Sequence, residues 1–169
     1  MAVTTIPTAG IADDAVTAAK ATGFGLIGQV KSTIGANFLA TTSTSYAAVS
    51  GLSLSITPSS TSSKILVLHS APSVVAISNT TNMGHVAIYR DSTNITTAGH
   101  NSSGMQYQYE PKSNGGFIQL LDSPSTTSSV TYAIYVKTDN TGMELAYGSY
   151  QSNGSQGTTS GLTLMEVLA

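Results

Sequence analysis

Cysteine is absent from the 169 residues, which excludes disulfides, Cys–Zn sites, Fe–S clusters and thiol catalysis. Tryptophan is absent as well. Charge is scarce: Asp, Glu, Lys and Arg make up 8% of the chain, where about a quarter is usual. A net charge of −2 with no basic cluster argues against binding a nucleic-acid backbone, which needs several Lys or Arg on one face. No apolar run approaches the length of a membrane-spanning helix, so no membrane insertion is expected. Met1 to Gly10 holds neither Lys nor Arg, and no apolar signal-peptide core follows. The expectation is therefore a soluble chain without a secretion signal.

Catalytic motifs are equally missing. The sequence has no G-x-S-x-G elbow, P-loop, G-x-G-x-x-G or H-E-x-x-H. His69, His85 and His100 have no ligand partner at i+2 or i+4, and His69 reads as a satisfied structural histidine. Asp13 and Asp14 are neighbours, which point apart on a helix, so they suit a helix start better than acid–base work. The remaining acids, Asp91, Glu110, Asp122, Asp139, Glu144 and Glu166, read as solvated turn residues. The expectation is a non-enzymatic protein with no metal and no cofactor.

What is abundant is Ser and Thr, about 29% of the chain. Hydrophobic residues still reach 40%, enough for a core. Residues 1–25 are Ala/Thr-rich. Within them Ile11 to Lys20 has weak helical spacing, with acids early and Lys20 late as a helix dipole prefers. Such a short helix needs a neighbour.

From residue 26 the period is two. Val130, Tyr132, Ile134 and Val136 alternate with Thr131, Ala133, Tyr135 and Lys137, which predicts a half-buried strand. Leu52, Leu54 and Ile56 alternate with Ser53 and Ser55, and Pro58 ends the run. Ile65 to Leu68 is apolar on both faces and suits a central strand. Further strands are expected at 86–90, 116–121 and 162–168, with weaker candidates at 26–32, 38–41, 73–77, 106–109 and 143–150. A turn is expected at Asp91 to Asn94. Eight to eleven short strands predict an all-β fold, an antiparallel β-sandwich of jelly-roll type over 26–169. Residues 1–25 form a short N-terminal extension holding the short helix.

Tyrosine is the informative polar residue. Tyr107 and Tyr109 lie among Gln and Glu, and Tyr147 and Tyr150 border Gln151 and Asn153. Tyr beside Gln, Asn, Ser and Gly is the composition of adaptable recognition surfaces. Tyr107, Tyr109, Tyr147, Tyr150 and Asn153 are therefore candidate receptor-facing residues. The alternative is that these tyrosines cap the sandwich or line a subunit contact.

Three stretches resemble trimeric tail-fibre and head-fibre (decoration) proteins of tailed bacteriophages, especially marine phages and cyanophages. Ile11-Ala12-Asp13-Asp14-Ala15-Val16-Thr17-Ala18-Ala19-Lys20 is similar to a unit that recurs in fibre stalks. Thr42 to Val67 is similar to the opening strands of a head domain common in such proteins. Tyr89-Arg90-Asp91-Ser92-Thr93 and Leu162 to Val167 resemble a middle strand-turn and the last strand of that domain. The resemblance implies a jelly-roll head like those of complement-type and tumour-necrosis-type trimers, a homotrimer, and a place in a virion made in the host bacterial cytoplasm. No catalytic residue comes with it. The expected function is a virion structural protein: a tail fibre or appendage for host adhesion, anchored to another virion protein through 1–25, with Val3, Ile6, Ile11 and Val16 as the virion anchor. A capsid decoration role is the alternative, and a free carbohydrate-binding module a further one. A host-surface glycan is the expected outside partner.

Overall fold

The computed structural model describes residues 26–36, 38–77, 83–96, 104–108, 110–142, 144–148 and 158–168. The anchor residues Val3, Ile6, Ile11 and Val16 and the expected short helix lie outside them, as do Tyr109, Tyr150 and Asn153.

Eleven strands follow one another along the described chain: β1 (Ile27–Ala36), β2 (Leu39–Thr41), β3 (Ala47–Ile56), β4 (Lys64–Ile77), β5 (Met83–Arg90), β6 (Thr93–Asn94), β7 (Met105–Gln108), β8 (Glu110–Asp122), β9 (Val130–Thr138), β10 (Glu144–Tyr147) and β11 (Thr159–Val167). All pair antiparallel, in two sheets. In the larger sheet β4 is central. β8 runs along one side of it, and β11 and β10 share the other side end to end. β1 then flanks β11, and β2 flanks β10. The smaller sheet is ordered β3-β9-β5, with β6 and β7 both on the far side of β5. The fold is an all-β antiparallel sandwich.

The alternation in the sequence becomes the two faces of each strand. On β9 Val130, Tyr132, Ile134 and Val136 are buried and the residues between them are partly exposed. On β11 the inward row is Ser160, Leu162, Leu164 and Glu166. Leu52, Ile56, Ile65, Val67, Val86, Ile88, Ile118, Leu145 and Tyr147 complete the centre of the core. Burying a Leu, Ile or Val side chain is worth about 1.5–3 kcal/mol, so this layer dominates the stability.

Two bulges keep this pattern working where strict alternation would fail. In β3 the pairing with β9 jumps from Ala48↔Tyr135 to Ser53↔Ala133, leaving three extra residues. Gly51 there adopts φ 82°, which a side chain would resist. An odd number of extra residues reverses the phase, so Val49 and Leu52 both point inward. In β1 one extra residue between Ile27 and Val30 likewise turns both outward, where both are exposed.

Candidate functional site

Polar groups inside the sandwich serve as locks. Glu166 faces inward from β11 and is buried. Its carboxylate accepts from Gln29 Nε2 at 2.8 Å and from the Ser59 backbone N–H and hydroxyl at 2.6 and 2.7 Å. Burial alone would raise its pKa; the hydrogen bonds from Gln29 and Ser59 outweigh that and hold it at about 2. Asp122, at the end of β8, accepts from Arg90 Nη1 at 2.9 and 2.8 Å and from Tyr132 Oη at 2.6 Å. It thus ties the larger sheet to β5 and β9 of the smaller one. The reading of these two acids as solvated turn residues is corrected: each is enclosed because it closes a gap between strands.

His69 sits on the inward face of β4. Its Nδ1 donates to the Gly161 carbonyl at 2.9 Å, which leaves Nε2 to accept from Tyr147 Oη at 3.1 Å. Burial lowers its pKa to about 4 against a small opposing effect of the Gly161 bond, so the ring is neutral near pH 7. The structural role expected for His69 matches this geometry. Tyr147, expected at a receptor-facing surface, is instead fully buried: β10 places Leu145 and Tyr147 on the core face, and the phenol satisfies the imidazole. Tyr107 lies on β7 opposite Gly84 of β5.

The two outer faces differ sharply. On the larger sheet, Val30, Met165, Leu66 and Leu121 form one row across four strands. Ile34, Gly161, Ser70 and Phe117 form a second row, with Ser32, Thr163, Leu68 and Gln119 between them. Among the described residues, five of the six exposed large apolar side chains belong to this face: Ile27, Val30, Ile34, Phe117 and Leu121, each 46–70% exposed. The strand spacing and rise make the face, polar and apolar rows together, roughly 400 Å², within the range of the largest patch on a typical monomer. Lys64, beside Val167, places an exposed charge at its margin.

The outer face of the smaller sheet begins as expected, with Ser53 and Ser55 outward and Ser55 Oγ 2.8 Å from Thr131 Oγ1. Toward β5 its character changes. Tyr89 pairs with Ala133 and Tyr135 with Ala87, so the two tyrosines are diagonal neighbours with small residues opposite each. They stack with centroids 4.1 Å apart. Tyr46, just before β3, meets Tyr89 edge-on at 5.6 Å, and Lys137 Nζ lies 5.1 Å from the Tyr46 ring centroid. All four side chains are partly exposed. Burial pushes the Tyr46 phenol up to about 12, helped by the Tyr89 phenol and Asp139 and opposed by a hydrogen bond with Asn94. The Tyr89 phenol is raised by burial and by Tyr135. At the margin His85 Nε2 lies 2.7 Å from Asp139 Oδ1. This cluster was not singled out from the sequence, because its tyrosines come from three separate segments and meet only through strand register.

Compared with known proteins, the chain matches no family model and no curated sequence. Among the described residues no group of three or more His, Cys, Asp or Glu converges on a metal position.

Proposed function

We propose that the chain is a non-enzymatic structural and adhesive protein of a phage virion, which assembles with copies of itself through the outer face of the larger sheet. The observation that carries this is the concentration of exposed apolar residues on that one face. A patch of this size is often a functional contact surface. A copy of this chain is the occupant that suits it, because the three rows described carry no charged residue and identical copies meet there without repulsion. A standard contact takes about 800 Å² from each partner, so the face supplies an apolar centre and its surroundings a polar rim.

The number three and the virion come from the resemblance. The strand order supports the jelly-roll reading: β1-β11-β4-β8 lies over β3-β9-β5-β7. In this reading residues 1–25 fasten the trimer to another virion protein, the sandwich projects outward, and the placement is a tail fibre or tail appendage. A capsid decoration protein is the second placement this reading allows.

Light scattering on the full chain tests the assembly. A particle of three times 17.2 kDa is expected; a monomer at micromolar concentration overturns it. Antibody labelling of particles in electron micrographs tests the placement.

A further inference from the structure

The tyrosine cluster on the smaller sheet has no role in the core. It lies on the outer face, Tyr89 and Tyr135 are paired across the strands with alanines, and it replaces the Ser and Thr that occupy outward positions elsewhere on that sheet. We propose that Tyr46, Tyr89 and Tyr135, with Lys137, Asn94 and Asp139 around them, form a binding site for a neutral hexopyranose of a glycan chain. This rests on the adhesive part of the reading above and is independent of the assembly part, since it uses the opposite face.

The chemistry is as follows. A pyranose presents an apolar C–H face and a ring of hydroxyls. Partly exposed tyrosines offer apolar ring surface for the first and phenol groups that both donate and accept for the second. Tyr is also a low-entropy contact, because only two torsions must be fixed. The stacked pair and the edge-on third ring hold one another in place, so little ordering is left for the moment of binding. The margin adds an amide at Asn94, an ammonium at Lys137 and a carboxylate at Asp139. Lys137 and Asp139 carry opposite charges, and Asp139 is also held by His85, so the named groups form no cationic cluster of the kind that recruits an anion. Such a site suits a neutral sugar better than an acidic one.

The test uses the full chain against an array of neutral and acidic oligosaccharides. The best neutral binder is then titrated while tyrosine fluorescence is followed, a signal that stands clear because the chain has no tryptophan. Binding to neutral hexose oligosaccharides is expected, weakened at least tenfold by Tyr135→Ala with an unchanged circular dichroism spectrum. If Tyr135→Ala does not fold, Lys137→Gln takes its place, with at least threefold weakening expected. The proposal is overturned if the folded protein binds nothing on the array, if only acidic glycans bind, or if the folded variant keeps full affinity. Light scattering on the same samples separates the readings: silent but oligomeric protein removes the sugar site alone, and a sugar-binding monomer removes the assembly alone.

Discussion

Tyr132 and Asp122 join the two sheets through one short hydrogen bond, Oη to Oδ2 at 2.6 Å. Arg90 holds the same carboxylate from β5. Burial raises the Tyr132 phenol, and the bond to Asp122 raises it further, so it stays a hydrogen-bond donor through the neutral range. Asp122→Ala leaves the guanidinium and the phenol without their acceptor. A loss of about 2–4 kcal/mol is expected, read from urea melts. Tyr132→Phe, which removes only one bond, is expected to cost about 1–2 kcal/mol.

Neighbouring residues on β11 have opposite roles. Leu164 is buried in the core, whereas Met165 lies in the outward apolar row. Leu164→Asp is expected to abolish folding, because an unpaired carboxylate would be buried. Val30→Glu with Leu121→Glu should leave circular dichroism intact and give monomers by light scattering where the unaltered chain gives the proposed oligomer. Intact oligomers from that double variant would overturn the proposed self-contact.

Stability should fall toward acid in two windows. His69 titrates at about 4 when folded against ~6.5 when unfolded. Between these values the unfolded chain binds the extra proton, so stability is full above ~6.5 and declines as pH drops toward about 4, by ~3 kcal/mol in all. Glu166 has a depressed folded pKa of about 2. Its contribution is present above the unfolded value near ~4.3 and is lost as pH falls toward about 2. Melting temperatures from pH 8 to pH 2 should show both slopes. His69→Gln should flatten the upper one and leave the lower one.

Gly84 on β5 faces Leu145 of β10, and an added Cβ would collide with the Leu145 side chain. Leu145 is fully buried, so it cannot swing aside into solvent. Gly84→Ala should cost about 1–3 kcal/mol, recovered in part by Leu145→Val in a double-mutant cycle.

Strands with clean alternation, such as β9 and β11, were legible in the sequence because burial on one face needs period two. β4 was not legible as one strand. Pro72 interrupts it, and 65–68 and 73–77 read as separate pieces; the register shift between Ala71 and Val74 lets the proline sit at a bulge. The first half of β8 has Pro111, Asn114, Gly115 and Gly116 and carries no apolar signal. It pairs along β4 through two register shifts. The tyrosine cluster and the Glu166 and Asp122 locks depend on which strands are neighbours, and periodicity within a strand is silent on that. The inward placement of Tyr147 escapes the sequence for the same reason: strand pairing sets it on the core face, against His69 of β4.

The apolar rows and the tyrosine cluster lie on opposite sides of a sandwich whose sheets are about 10 Å apart. Covering the first therefore turns the second outward, whatever the details of the contact. In a closed ring of three, each particle would present three tyrosine clusters on its perimeter at fixed spacing. A sugar contact too weak to hold one copy would then be engaged several times at once, and avidity can multiply its strength by about 10²–10⁴. The difference between the two outer faces would thus set the valency of the surface contact as well as its orientation.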